Sequence, residues 1–152
     1  MKKEVLIIMG SKSDKPVMSS AEEILKRFNV PYDVIISSSH RNPERTRKIA
    51  KESAKEGYKV VIAGAGYAAH LAGVIASETT LPVIGVPLAS SPLGGLDALF
   101  STIQMPSGVP VASMGIGESG AKNAAIFSVE ILSLVNEKYR KKIEEMRKEW
   151  NR

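Results

Sequence analysis

The sequence predicts a single α/β domain in which one parallel five-stranded sheet is covered by helices on both faces. Short apolar runs rich in β-branched residues alternate with longer segments of helical periodicity, the pattern of repeated βαβ units. The runs are continuously apolar rather than alternating, as expected for strands buried on both faces. The 152 residues suit one domain, and no linker, repeat or low-complexity tract divides them.

Five strands and six helices are predicted along the chain. The first two helices begin close to a proline, a residue favoured in the first helical turn. The strands are Val5–Met9, Val34–Ile36, Val60–Ala63, Val83–Val86 and Val109–Ala112. The helices are Pro16–Phe28, Pro43–Glu56, Ala68–Glu78, Leu96–Gln104, Ala121–Asn136 and Glu137–Trp150.

The last helix, residues 137–150, carries a single apolar stripe. Tyr139, Ile143, Met146 and Trp150 recur at spacings of 4, 3 and 4 residues. Packing on its own domain is one explanation of the stripe. Because the helix follows a complete set of strands and covering helices, we expect the stripe to dock on a neighbouring subunit, which makes this helix an assembly element.

The composition excludes several classes of protein. There is no cysteine, so disulfides, thiolate metal sites and cysteine nucleophiles are absent, which fits a reducing compartment. The segment from Met1 to Met9 has two lysines and a short apolar run, with neither a signal-peptide pattern nor the length of a membrane span. We therefore expect a cytoplasmic protein with no membrane association.

The net charge of +5 raises the question of nucleic-acid binding. The positive residues concentrate in Arg41–Lys55 and Lys138–Arg152, where they alternate with glutamates at helical spacing. That pattern is typical of solvated helix faces. Nucleic acid is therefore not an expected partner, whereas a modest positive field suits a small anionic substrate.

Polar or glycine-rich segments follow four of the predicted strands. In an open doubly wound sheet, ligands bind beyond the carboxyl ends of the strands, next to helix N-termini that favour anions. The sequence therefore predicts a site for a phosphorylated small molecule at this edge. The four segments are Gly10–Asp14, Ser37–Pro43, Gly64–His70 and Pro87–Gly95.

The first segment, G-S-K-S-D, combines a turn glycine with hydroxyls and a carboxylate. Ser11, Ser13 and Asp14 can hold phosphate or sugar hydroxyls. Ser13 or Asp14 can equally serve only to cap the helix that begins near Pro16, since serine and aspartate are preferred caps. The spacing alone does not separate the two interpretations.

The second segment places Ser38, His40 and Arg41 between a strand and a proline-led helix start. An arginine can bind phosphate through two parallel hydrogen bonds, and a histidine can move protons near neutral pH. A surface histidine and a solvated helix charge are the structural alternatives. The position at a strand end makes His40 the best candidate for proton transfer.

The third segment has glycines at Gly64 and Gly66 flanked by alanines, so that backbone can approach a ligand closely. It lacks the third glycine of G-x-G-x-x-G, and close packing of strand on helix explains it equally well. His70 is predicted just inside the following helix, where a structural hydrogen-bonding role is favoured over direct catalysis.

Other chemistries find little support in the sequence. Two histidines without cysteine give no metal-ligand spacing, so no metal site is predicted. The nucleophile elbow G-x-S-x-G and the phosphate loop G-x-x-x-x-G-K-S/T are both absent. Hydrolase and nucleoside-triphosphatase activities are therefore not expected.

The motifs taken in order resemble one family of purine biosynthesis. They are M-G-S-K-S-D, S-S-H-R-N-P, A-G-A-G-Y-A-A-H-L-A-G, P-V-I-G-V-P and S-T-I-Q-M-P-S-G-V-P-V-A. Together they resemble the 5-(carboxyamino)imidazole ribonucleotide mutases over Val5 to about Leu132. The resemblance implies a flavodoxin-like fold and octamers with active sites near subunit junctions. It also implies transfer of a carboxylate from the exocyclic nitrogen to a ring carbon of an aminoimidazole ribonucleotide, with no cofactor.

The resemblance also implies roles for individual residues. Ser11 and Asp14 match substrate contacts, with Asp14 on the ribose hydroxyls and Ser13 as an auxiliary contact. Ser38 and Arg41 match phosphate ligands. His40 matches the general acid/base. The pocket for the imidazole and the migrating carboxylate is matched by Gly64, Ala65, Gly66, Ala68, Ala69, His70 and Leu71.

The chain departs from the family pattern at four positions. Tyr67 stands where glycine is typical, and it can either narrow the pocket or point away from it. The other three are Ser39 for alanine, Ala72 for proline and Ala98 for serine.

Two other functions are considered. The first is the related aminoimidazole ribonucleotide carboxylase, which uses free carbon dioxide; the third segment resembles the mutase type instead. The second is a flavodoxin-like binding or receiver module. A receiver needs an acidic cluster after the first strand and an aspartate at the end of the third, where this chain has Ala63 and Gly64.

Overall fold

The structure is a computed structural model that describes residues 3–151. Its strands are β1 (Val5–Met9), β2 (Tyr32–Ile36), β3 (Val60–Ala65), β4 (Val83–Pro87) and β5 (Ala112–Ser113). Its α-helices are α1 (Lys15–Arg27), α2 (Pro43–Glu56), α3 (Leu71–Glu78), α4 (Leu96–Ile103), α5 (Glu118–Ser133) and α6 (Glu137–Lys148). Two 3-10 turns lie at Lys12–Asp14 and Glu149–Asn151.

Within the described residues, all strand pairs are parallel and the strand order is β2-β1-β3-β4-β5. This order belongs to flavodoxin-like sheets, in which the connections reverse direction between β1 and β3. The predicted parallel α/β architecture is therefore confirmed. The reversal point is also where the loops after β1 and β3 separate and leave room for a ligand.

The sheet divides the core into two layers, and strand β1 contributes side chains to both. Successive side chains of a strand alternate between faces, so Val5, Ile7 and Met9 enter one cluster while Leu6 and Ile8 enter the other. Residues of α1, α5 and α6 complete the first cluster, and residues of α2 and α3 complete the second. The sheet is thus covered on both faces, as predicted.

The edge strand β2 departs from the expectation of full burial. β1 and β4 are buried along their whole length, whereas every residue of β2 is half-buried. Asp33 of β2 forms an ion pair with Lys3 at 3.3 Å and accepts a 2.6 Å hydrogen bond from the Tyr58 hydroxyl. A charged residue on an outer strand discourages pairing with a further strand.

Among the described strands, β1 alone has the predicted bounds. β3 ends at Ala65 rather than Ala63, and β4 ends at Pro87 rather than Val86. β2 begins at Tyr32 rather than Val34, and β5 is Ala112–Ser113 rather than Val109–Ala112. Pro110 interrupts the predicted β5, because proline has no N–H to donate to a sheet ladder. The fifth strand is consequently a short edge pairing with β4.

Helix boundaries shift where the backbone turns through the left-handed region. Tyr67 has a φ of 55°, and α3 begins at Leu71 instead of Ala68. His70 therefore precedes α3 rather than lying inside it. Gly117 has a φ of 78°, and α5 begins directly after it at Glu118, not at Ala121.

The expectation that the α6 stripe docks on a neighbouring subunit is wrong for three of its four members. Tyr139, Ile143 and Met146 are buried in the core of their own chain. The Tyr139 hydroxyl also donates a short hydrogen bond to Glu4. Only Trp150 projects away from the core, with 70% of its surface exposed. In the part of the chain that the structure describes, no helix combines the length and apolar character needed to cross a membrane.

Candidate functional site

The loops that follow β1, β2 and β3 surround one cavity of about 260 Å³ at the carboxyl edge of the sheet. These three strands are neighbours in the sheet, so their loops meet as the parallel topology predicts. The predicted site residues that line it are Ser11, Ser13, Asp14, Ser38, His40, Arg41, Ala65, Gly66, Ala68, Ala69, His70 and Leu71. Gly10, Ser39, Tyr67 and Ser90 line it as well.

The first loop is both a helix cap and a wall of the cavity. The backbone N–H of Ser11 donates to Asp14 Oδ2 at 2.9 Å, and the Ser11 hydroxyl accepts from the Ser13 N–H at 3.3 Å and from the Ser13 hydroxyl at 2.9 Å. This reciprocal pattern is a capping box. The two interpretations of the segment are therefore compatible, since the cap fixes three polar side chains at the cavity.

The carboxyl of Asp14 is held in an unfavourable environment for its charge. Burial raises the pKa of Asp14 above its ordinary value of 3.8, although the backbone N–H groups of Ser11 and Gly10 oppose the shift. The residue is only 6% exposed. A ligand hydroxyl that donates to this carboxylate would replace part of the hydration that burial removes.

The second loop is fastened at its base and open at its tip. The Ser37 hydroxyl is bonded to Thr46 Oγ1 at 2.8 Å inside the protein, and the Arg41 N–H donates to Ser38 Oγ at 3.2 Å. His40 and Arg41 are exposed beyond these anchors. The loop therefore offers an imidazole and a guanidinium to a ligand from a fixed backbone.

His40 and His70 stack against each other in the cavity. Their ring centroids are 5.2 Å apart and the ring planes differ by 23°. One ring comes from the loop after β2 and the other from the end of the loop after β3. The structure thus brings His70 into the site next to the proton-transfer candidate, although the sequence favoured a structural role for it.

The third loop contacts the loop after β4 at very short range. A Cβ atom at Gly66 would lie 2.5 Å from Ser90 Oγ, so only glycine fits there without rearrangement. Gly64 is a different case: it is buried in β3, does not line the cavity, and a Cβ there would collide with Met18. Gly64 therefore supports packing of the sheet on α1.

Sequence reasoning missed Ser90 and left the orientation of Tyr67 open. Ser90 belongs to the fourth strand-end segment, Pro87–Gly95, so the position after a strand was the signal that pointed to it. Tyr67 is the most conspicuous addition, because this large residue lines the cavity and remains 59% exposed. Among residues 3–151, no group of three histidines and carboxylates is placed to hold a metal ion.

Comparison with known proteins places the chain in a family. A family model described as AIR carboxylase matches residues 4–152. The chain belongs to the AIR carboxylase family. The N5-carboxyaminoimidazole ribonucleotide mutase of Pyrococcus horikoshii is 52% identical over 146 residues, covering 93% of this chain and 81% of that protein.

Two further similar proteins extend the comparison. The phosphoribosylaminoimidazole carboxylase of Candida glabrata is 52% identical over 139 residues, which cover 91% of this chain and 24% of that longer protein. The crystal structure of Treponema denticola PurE superposes with a TM-score of 0.87 at 28% identity, covering 97% of this chain and 90% of the other. The similarity confirms the flavodoxin-like fold and the resemblance found in the motifs.

Proposed function

We propose that this member of the AIR carboxylase family is a 5-(carboxyamino)imidazole ribonucleotide mutase of purine biosynthesis. It interconverts 5-(carboxyamino)imidazole ribonucleotide and 4-carboxy-5-aminoimidazole ribonucleotide. The observation that carries the proposal is the meeting of His40, Arg41 and Asp14 on one cavity. His40 supplies a proton carrier, Arg41 a phosphate ligand and Asp14 a hydrogen-bond acceptor for the ribose hydroxyls. Binding this ribonucleotide and moving its carboxylate requires these three groups.

The reaction moves one carboxylate and one proton between two atoms of the substrate. The bond from the exocyclic nitrogen to the carboxylate carbon breaks, releasing carbon dioxide, and the nitrogen gains a proton. The ring carbon then bonds to the carbon dioxide and loses its own proton. Atoms and charge balance without an oxidant, a nucleotide or a metal, so the proposal includes no cofactor.

His40 is the proposed general acid/base for both proton transfers. A group that gives a proton to nitrogen and later takes one from carbon must change charge easily near neutral pH, which is the property of an imidazole. His40 is exposed at the tip of an anchored loop, so it can reach a ligand in the cavity. Its stacked neighbour His70 limits the directions in which the ring can turn.

The remaining contacts hold the substrate at a distance from the reacting atoms. Arg41 and Ser38 are the proposed phosphate ligands. The hydrogen bond from the Arg41 backbone N–H to Ser38 Oγ stabilises the loop backbone from which both side chains extend. Asp14 and Ser11 are proposed for the ribose hydroxyls, with Ser13 as the auxiliary contact. The imidazole end is proposed to lie on Ala65, Gly66, Ala68, Ala69, His70 and Leu71.

The small residues suit an intermediate that must not diffuse away. Carbon dioxide and the aminoimidazole have to remain adjacent until the carbon–carbon bond forms, and close backbone approach at Gly66 narrows the space available. Excluding water from this end of the cavity would also keep the carbon dioxide from being hydrated. The mutase assignment therefore accounts for the glycines and alanines of this loop, among which Tyr67 and His70 are the two large side chains.

The second candidate function is aminoimidazole ribonucleotide carboxylase. It is favoured by the carboxylase-named relative from Candida glabrata, which matches this chain as well as the mutase-named relatives do. A product assay with and without bicarbonate separates the two. A mutase converts the carboxyamino substrate without added bicarbonate, whereas equal turnover of aminoimidazole ribonucleotide at low bicarbonate would overturn the assignment.

We also propose that the chain assembles as a homo-octamer. Four large apolar residues, each 43–63% exposed, recur along α4 and the loop before it. They are Leu93, Leu96, Phe100 and Ile103. An apolar row of this size on one helix face suits a partner surface, and a second copy of the chain is the proposed partner. Sedimentation of the parent and of Phe100→Glu tests this; a parent that sediments as a monomer would contradict it.

The proposed location is the cytoplasm. The proposed substrate carries a phosphate, and an ion of this kind does not cross a lipid bilayer unaided. An enzyme that acts on it has to work in the compartment where the substrate is made. Recovery of the native protein in a membrane or extracellular fraction instead of the cytosol would contradict this.

A further inference from the structure

Tyr67 adopts a backbone conformation that a tyrosine rarely takes. Its φ is 55°, in the left-handed region, where the side chain of an L-residue crowds the following carbonyl. Asn29 is the other non-glycine residue of this kind in the described part of the chain, and asparagine tolerates the region better. Glycine would relieve the strain at position 67. Strain that persists at a cavity points to a function of the side chain.

The neighbours of Tyr67 hold this conformation in place. On one side, Gly66 is wedged against Ser90 and the backbone of Leu88. On the other side, the Ala69 N–H donates to the Tyr67 carbonyl at 2.8 Å, and Ala69 is buried. The backbone at position 67 is therefore fixed by both flanks, while its side chain is largely exposed.

Tyr67 is a cavity-lining residue that is largely exposed. It lines the cavity beside Ala68, Ala69 and His70, yet 59% of its surface is exposed. Covering a large, water-exposed aromatic ring with another planar group is energetically favourable. The adjacent part of the cavity is the end proposed for the aminoimidazole ring.

We propose that Tyr67 is a substrate-retaining residue whose ring covers the aminoimidazole end of the cavity. The inference rests on the proposed mutase function. With substrate bound, the ring packs on the aminoimidazole and closes the open side of the cavity. Carbon dioxide is uncharged and apolar, so this wall slows its escape between release from nitrogen and capture by carbon. The phenol hydroxyl is not required for this role.

The experiment compares Tyr67→Gly with Tyr67→Phe. The first measurement is the share of turnovers that end as free aminoimidazole ribonucleotide, corrected for decarboxylation without enzyme. The second is incorporation of carbon from labelled bicarbonate into the product. In Tyr67→Gly both quantities should rise severalfold, whereas Tyr67→Phe should match the parent. Thermal unfolding of Tyr67→Gly should occur at the same or a higher temperature, because glycine removes the strain.

A matched control removes an aromatic ring elsewhere. Phe127 is 36% exposed on α5 and does not line the cavity, so Phe127→Ala should leave both measurements at the parental level. If Tyr67→Gly loses stability instead, Tyr67→Asn repeats the test with a residue that accepts positive φ. If a folded Tyr67 variant retains carbon dioxide as well as the parent does, the role of Tyr67 is overturned and the proposed mutase function is not. A parent that fails to interconvert the two ribonucleotides would overturn the proposed function first.

Discussion

The imidazole rings of His40 and His70 stack with their centroids 5.2 Å apart, although they come from loops on either side of β1. His40 stands on the loop after β2, and His70 on the loop after β3. The orientation of the proposed proton carrier therefore depends on pairing across three strands. An isolated peptide containing S-S-H-R could not reproduce it.

Replacing His40 by asparagine should remove proton transfer and leave the fold intact. We expect turnover to fall by about 100-fold or more, the usual scale for losing a general acid/base, with little change in substrate affinity. Steady-state kinetics with both ribonucleotides and a thermal unfolding scan provide the measurement. His70→Asn is the companion variant and should retain more turnover, because His70 lines the cavity and stacks on His40 but is not the proposed proton carrier. Near-parental turnover in His40→Asn would exclude His40 from the reaction.

Replacing Arg41 by alanine should weaken binding more than it slows chemistry. A phosphate contact is made in the ground state and in the transition state alike, so KM should rise while kcat changes little. Arg47→Ala is the matched control: it removes the same charge from an ion-paired residue of α2 that does not line the cavity. Equal loss of affinity for ligands with and without phosphate would contradict the role of Arg41.

Asp14→Asn should separate stability from binding. Burial raises the pKa of Asp14, so the folded chain binds this proton more tightly than the unfolded chain and the ionised carboxylate opposes folding at neutral pH. Asparagine keeps an acceptor for the Ser11 N–H but carries no charge. The variant should unfold at the same or a higher temperature at pH 7, bind substrate more weakly, and lose its stability advantage as pH falls toward the ordinary value of 3.8. A marked drop in unfolding temperature at pH 7 would contradict this.

Tyr32→Phe should reduce the sensitivity of the fold to alkaline pH. Burial, together with the 3.1 Å hydrogen bond from Tyr32 to Glu22, raises the pKa of Tyr32 from 10.0 to about 12. The neutral Tyr32 hydroxyl therefore contributes to folding stability fully below pH 10. The contribution is lost as pH rises from 10 toward 12, because Tyr32 ionises first in the unfolded chain. The stability difference between parent and variant should therefore shrink over that interval in urea unfolding curves. Tyr67→Phe, at an exposed ring, supplies the control.

Removal of residues 137–152 should destabilise the subunit itself. Tyr139, Ile143 and Met146 belong to its core, and burial of a large apolar side chain stabilises by about 1.5–3 kcal/mol. Losing three of them removes a large part of the roughly 5–15 kcal/mol by which a domain is stable. Circular dichroism during heating is the measurement. Trp150 is the exposed member of the stripe and can still contact a neighbouring subunit. Trp150→Ala should therefore change the oligomer mass without lowering the unfolding temperature.

The sequence predicts elements best where a local pattern has one structural solution. Val5–Met9 is a strand with the predicted bounds, because a continuous run of branched and apolar residues between polar segments fits a buried parallel strand. The fifth strand was misplaced because Pro110 opposes the β pattern around it. The α6 stripe shows a further limit: its periodicity gives an apolar face but does not state which surface covers it.

The site was predictable as far as strand order and loop position determine it. Hydroxyls and charges after neighbouring parallel strands have to meet, which is why Ser11, Ser38 and His40 share a cavity. The stacking of His70 and the left-handed φ of Tyr67 depend on contacts between separate loops. Such contacts leave no periodic signal in the sequence.

The sheet order also determines when the site can appear as the chain folds. In the described sheet, β1 pairs with β2 and with β3, so Val5 lies opposite both Tyr32 and Val60. Pairings between such distant segments close long loops, and they form later than helices do. The cavity exists only once all three strands are aligned. A refolding chain should therefore regain helical signal before it regains catalysis, and a nascent chain should remain inactive until β3 has left the ribosome.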